Sequence, residues 1–227
     1  MQGRLIPLDS FSGNWNMSVD QALLESVDAT QVPMLRFYQW SAPTLSLGYF
    51  QQLSARDQHT ASHQVDCVRR STGGGAILHH HELTYSIAFP LASSHLGARH
   101  DLYQGMHDVI RDALSNWSIR AAPYREDPRR AGRENALLCF QRRTDEDLIV
   151  SGYKVLGSAQ RRAKNAILQH GSLLLQCSPF APELPGVIDL GASKFTVREL
   201  AACIAQGSSK NGRSSSRKTA SASPKKC

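Results

Sequence analysis

The chain has no apolar run approaching the roughly 20 residues needed to cross a bilayer, and Met1 to Asn16, with Pro7 and Asp9, lacks the apolar stretch of an export signal. A cytoplasmic protein with no membrane partner is the expectation. No Cys-x-x-Cys pair occurs, and the five cysteines, Cys67, Cys139, Cys177, Cys203 and Cys227, are odd in number and irregularly spaced. That pattern disfavours a disulfide framework and leaves reduced thiols available for chemistry. No Gly-Lys-Ser/Thr follows the one glycine cluster, which excludes a Walker P-loop, and no internal repeat is present.

Acid is also scarce, in one place. The formal charge of the 227 residues is +7, but the stretch from Gly207 onward holds Lys210, Arg213, Arg217, Lys218, Lys225 and Lys226 and no acid, so the body carries only +1. A nearly neutral body with a basic tail is a poor nucleic-acid binder. The expected organisation is one domain over 1–206 and a basic disordered tail over 207–227, since the tail has few apolar residues to bury. A single domain of this size is compatible with a monomer.

Within the body, Ser18-Val19-Asp20-Gln21 has the form of a capping box and predicts a helix through Leu23, Leu24 and Val27. Met34 to Trp40 and Thr44 to Gln51 read as strands meeting at a turn, with Cys67 to Arg70 as the next strand. Ala76 to Phe89 reads as a hairpin folded around the histidines. Helical spacing over Asp101 to Trp117 predicts a helix. Tyr124 to Gln141, with Pro128 and Gly132, reads as a long surface loop. Leu148 to Val150, Tyr153 to Gln160 and Ala166 to Gln176 form an antiparallel meander, and Thr196-Val197-Arg198-Glu199 caps a last short helix. The fold class is α+β, a mixed and mainly antiparallel β-sheet packed with helices.

Three groups of residues carry chemical possibilities. Arg69 and Arg70 precede Gly73-Gly74-Gly75, where an arginine beside bare backbone can hold a carbonyl or phosphate; a glycine triplet is equally a tight turn. His79, His80 and His81 point to alternating strand faces and cannot converge on one metal ion, so no metal site is expected. Cys139 lies between Leu138 and Phe140, and by position alone is a small buried residue.

The segments Arg69-Arg70-Ser71-Thr72-Gly73-Gly74-Gly75-Ala76-Ile77-Leu78-His79 and Gly152-Tyr153-Lys154-Val155-Leu156-Gly157-Ser158-Ala159-Gln160 together resemble the biotin/lipoate protein ligase and octanoyltransferase superfamily. Glu82-Leu83-Thr84-Tyr85-Ser86, Cys139-Phe140 and Gln169-His170-Gly171-Ser172 resemble its cysteine-dependent octanoyltransferase branch. The resemblance spans roughly Asn16 to Gln176.

What it implies is an enzyme that moves an octanoyl group from acyl carrier protein, through a thioester on Cys139, to a lysine of a lipoyl-domain protein or glycine-cleavage carrier. It needs no cofactor. Lys154 is the implied second catalytic residue, its ammonium favouring the thiolate. Arg70, Gly73, Gly74, Gly75 and His79 are expected to shape the acyl tunnel mouth, with Gly157, Ser158 and His170 as further substrate-binding positions. From Arg120 to Lys164 eleven Lys/Arg face six Asp/Glu, an expected basic rim for an acidic carrier. The alternative readings are an ATP- and Mg-dependent lipoate ligase, and an amidotransferase between lipoyl-bearing proteins. One departure stands out: relatives often carry an acid after the histidine, where this chain has His80.

Overall fold

A computed structural model describes residues 3–91, 98–127 and 136–219, with the side chains of 98 and 210–219 outside the description. The chain forms β1 (Arg4–Phe11), α1 (Gly13–Thr30), β2 (Met34–Trp40), β3 (Thr44–Leu47), β4 (Asp66–Arg69) and β5 (Ile77–His79). Next come β6 (Glu82–Pro90), α2 (Ala98–Ser115), β7 (Ala122–Pro123) and β8 (Leu148–Val150). The chain continues with β9 (Tyr153–Arg162), β10 (Ala166–Leu174) and α3 (Val197–Thr219).

The strands form a seven-stranded sheet in the order β1-β2-β6-β10-β9-β8-β7 and a three-stranded sheet in the order β4-β3-β5. Among the described strands only β1 with β2 and β3 with β4 pair in parallel. The fold is therefore α+β with a mainly antiparallel sheet.

Strand alternation explains the layers, because successive side chains point to opposite faces. On one face Phe37, Leu83, Tyr85, Leu156 and Leu173 pack with Ile110 and Leu114 of α2 and Leu200 and Ile204 of α3. On the other, Leu23, Leu24 and Val27 of α1 cover Met34, Ala88 and Leu168. A third cluster joins Leu45, Leu47, Ile77 and Leu78 of the small sheet to Leu137, Leu138 and Phe140.

Several local expectations hold. The β8-β9-β10 meander forms, its first turn carried by Ser151 and Gly152 with φ of 50° and 86°, both in the left-handed region that tight hairpins require. The Thr196–Glu199 box closes reciprocally, Thr196 N donating to Glu199 Oε2 at 2.7 Å and Glu199 N to Thr196 Oγ1 at 3.2 Å.

Others are corrected. Helix α1 begins at Gly13, not near Ser18: the Ser12 side chain caps it, and the Ser18 hydroxyl bonds back to Asn14 O at 2.9 Å inside the helix. Ala76 to Phe89 is not a hairpin, since β5 pairs with β3 in the small sheet and β6 with β2 and β10 in the large one. Strand β1, which holds Pro7, was not foreseen; it is an edge strand, where a missing amide donor is tolerated. Helix α3 runs through Gly207 to Thr219 where disordered chain is expected. The remainder of that tail, 220–227, lies outside the described residues, as do Pro128 and Gly132 of the long loop and Arg129, Arg130 and Arg133 of the expected basic rim.

Candidate active site

The segment holding Cys139 is stitched to the glycine loop by backbone bonds in both directions: Ala76 N donates to Leu137 O at 3.0 Å and Cys139 N to Ala76 O at 2.6 Å. Gly75 makes this approach possible, since a Cβ there would lie 3.2 Å from the Cys139 backbone N and Cα and 3.0 Å from Leu137 O. Beside the half-buried thiol, the Lys154 ammonium lies 3.8 Å from Cys139 Sγ and donates to Cys139 O at 3.3 Å. It also faces the Phe140 ring at 5.5 Å.

Lys154 is buried and forms an ion pair at 2.8 Å with Asp147, itself buried, whose Oδ2 also accepts from Thr144 N at 2.6 Å. Asp147 aims the Lys154 side chain and balances its charge; an unpaired buried ammonium would be costly. Strand β9 makes room for the long side chain at Gly157, where a Cβ would lie 2.4 Å from Lys154 Cε.

Arg70, expected to bind substrate, lines the cleft; its two terminal nitrogens are bonded within the fold, and its Nε has no hydrogen-bond partner among the described residues. Nη1 donates to Ser46 O at 2.7 Å and Ser46 Oγ at 2.6 Å, and Nη2 to Gly73 O at 3.2 Å and Gly75 O at 2.8 Å. Its role in the structure is to clamp the glycine loop to β3. Burial lowers its pKa. Gly74, with φ of 92°, supplies the left-handed turn at the centre of the loop.

His79 is similarly placed: burial lowers its pKa despite the opposing influence of Glu82, and Nδ1 donates to Glu82 Oε1 at 2.7 Å. Nε2 then accepts from Ser46 Oγ at 2.6 Å, while the ring stacks on Trp40 at 3.8 Å. Burial by itself would raise Glu82, but His79 beside it and bonds from His79, Thr84 and Ser172 hold it below the usual carboxylate range. Glu82 thus supplies the acidic partner that His80 does not; His80 bonds Ser178 instead.

His170 links Asp20, at 3.0 Å from Nδ1, to Thr72, at 2.7 Å from Nε2. Asp20 also accepts from Arg36, Tyr38 and Ser86. Ser158 bonds Tyr85 at 2.8 Å and His107 at 2.7 Å. Burial pushes His107 down to about 4, so its Nδ1–H donates to Glu146 O and its Nε2 accepts from Ser158.

These groups surround a cleft of about 450 Å³ including its open mouth, lined on one side by Arg70, Gly73, Gly74, Ile77 and Cys139 and on the other by Gly157, Ser158 and Gly171. His79 and His170 reach it as well. Gly75 and Lys154 stand behind the wall, positioning Cys139. The chain thus brings every expected site residue into one region. Asp147, Asp20 and His107 were missed. Their signal was faint: each is a polar residue inside or beside an apolar-periodic stretch, buried only through contacts distant in sequence. Among the described residues no group of three His, Cys, Asp or Glu could hold a metal ion, and no helix is long and apolar enough to cross a membrane.

Two octanoyltransferases called LipM are similar to this chain. That of Oceanobacillus iheyensis is 36% identical over 70% of this chain and 59% of its own length. That of Carboxydothermus hydrogenoformans is 38% identical over 76% and 65%. The chain thus spans about three fifths of the length of these curated relatives. A solved structure of Ta0514 from T. acidophilum, described as a putative lipoate protein ligase with bound lipoic acid, superposes with a TM-score of 0.73 at 23% identity, covering 94% of this chain and 86% of that one. At that identity the likeness speaks for the fold. The family model for the lipoyl protein ligase A/B catalytic domain matches residues 12–207, from the cap of α1 into α3, and the chain belongs to that family.

Proposed function

We propose that the chain transfers an octanoyl group from acyl carrier protein to a lysine of a lipoyl-domain protein or glycine-cleavage carrier, in lipoate biosynthesis, through a thioester on Cys139. The relatives named octanoyltransferase support the acyl group and the reaction class. The observation that carries the mechanism is the Lys154 ammonium 3.8 Å from Cys139 Sγ at the wall of the cleft. That places a positive side chain where it can stabilise the sulfur as it attacks the thioester.

The Cys139 sulfur forms a bond to the thioester carbonyl carbon, and the carrier's sulfur leaves and takes a proton from water. The acceptor amine then attacks the acyl-cysteine, the C–S bond breaks, and the amine proton ends on Cys139. The donor is already activated, so neither step consumes ATP. Gly73, with open space where a Cβ would stand, lets the acyl carbonyl approach backbone closely.

The test is intact mass after incubation with octanoyl acyl carrier protein. A hydroxylamine-labile octanoyl adduct that disappears in Cys139→Ala is expected. Turnover that instead demands ATP, Mg and free octanoate or lipoate identifies a ligase and overturns the thioester route.

A further inference from the structure

Phe50 is 85% exposed, the most exposed large apolar side chain among the described residues, with Tyr49 at 49% and Leu53 at 62% beside it. Such exposure ordinarily belongs to a loose loop, yet this one is tied down. Tyr49 N donates to Thr72 O at 2.9 Å, and Arg69 Nη1 donates to Gly48 O at 3.0 Å and Gln51 O at 2.6 Å. Arg161 donates to Ser71 O at 2.8 Å and places its guanidinium 5.3 Å from the centre of the Tyr49 ring. Tyr49 and Phe50 meet edge to face at 5.0 Å. Gly48 is so tightly seated that a Cβ there would lie 2.1 Å from Gly74 O.

A rigid aromatic projection flanked by arginines has the composition of a binding hot spot. It stands on the segment after β3, beside the glycine loop whose Gly73 and Gly74 line the cleft, but Tyr49 and Phe50 do not line it themselves. Arg56, Arg69, Arg161 and Arg162 belong to the segments that frame this rim, with Asp57 and Asp66 at their ends, while Arg70 and Lys154 of the same segments are buried. A partner seated here is acidic.

We propose that Tyr49 and Phe50, with Arg69 and Arg161, form the docking surface for the acidic carrier domain that presents the acyl thioester on its long prosthetic arm. The proposal rests on the acyl transfer above for the cargo, while the docking itself can be measured without any transfer.

The full chain is titrated with acyl carrier protein bearing octanoyl through a non-hydrolysable amide, and separately with a lipoyl domain. Phe50→Ala and Phe50→Glu are compared with the parent; thermal melting confirms that these exposed substitutions leave the fold intact. The carrier Kd is expected to rise several-fold for Phe50→Ala and at least tenfold for Phe50→Glu, and to rise with salt in the parent. Lipoyl-domain binding, and Cys139 acylation by a small octanoyl thioester, stay unchanged. An unchanged carrier Kd, a change seen with the lipoyl domain instead, or an equal loss with the small thioester overturns the assignment. If Cys139 is acylated by neither donor while the carrier Kd still shifts, the transfer reading fails and the docking surface stands.

Discussion

Gly157 and Lys154 share a strand, and the hydrogen-sized side of one is the space occupied by the other: a Cβ on Gly157 would lie 2.4 Å from Lys154 Cε and 2.8 Å from Nζ. The lysine must bend over its own strand to reach both Asp147 and Cys139. Gly157→Ala therefore pushes the ammonium away from the thiol. Single-turnover acylation of Cys139 is expected to slow by roughly a hundredfold, the usual consequence of an ångström-scale misplacement in a reacting group. Parent-like acylation in that variant would show that the ammonium's position does not matter.

The Lys154–Asp147 pair is buried on both sides, so each single truncation strands a charge. Lys154→Ala and Asp147→Ala should each cost about 3–5 kcal/mol in urea unfolding, and the double variant clearly less than their sum. Acyl transfer should be lost in all three. Additive stability losses would mean that the two groups do not interact.

Gly75→Ala tests the seat of the cysteine. Its Cβ would crowd the Cys139 backbone at 3.2 Å, where the atoms opposite are main chain and cannot swing aside. Adduct formation is expected to fall at least tenfold at saturating donor, about 1.4 kcal/mol of barrier, with the circular dichroism of the parent retained.

His107 makes stability depend on pH. Its folded pKa, about 4, lies below the ordinary 6.5, so between those values the unfolded chain binds the extra proton. Stability from this group is complete above about 6.5 and is lost as pH falls toward about 4, by up to about 3 kcal/mol. Urea unfolding of the parent should weaken over that window more steeply than that of His107→Gln. Parallel profiles would show that the histidine is not buried neutral.

The elements readable from residues were those whose signals are local. The Ser151-Gly152 turn places its two flanking strands side by side, and Thr196 with Glu199 closes a helix end within one turn. Ser18 misled because capping-box chemistry also occurs inside a helix, where the hydroxyl turns back to the preceding turn. Ile77 to His79 and Glu82 to Pro90 look like hairpin arms, but the strands part into different sheets: β5 takes its backbone partners from β3, whose Ser46 also bonds His79.

For the site, the motifs around Gly73, Lys154 and Cys139 were legible as a family pattern, and the roles within it were not. Arg70 and His79 look like substrate-binding groups in a linear reading. Packed, both line the cleft while bonding Ser46, Gly73, Gly75 and Glu82, so they also hold the loop beside Cys139.

Periodicity and turn chemistry thus gave the meander and the existence of the helices, and the family resemblance singled out Cys139 and Lys154. Tertiary structure settled that Asp147 pairs with Lys154, that Gly157 and Gly75 vacate space for the lysine and the cysteine, and that Phe50 stands outside on a fixed rim. Local patterns report on neighbours along the chain. An ion pair or a steric vacancy is made by segments that meet only when the sheets and loops have packed.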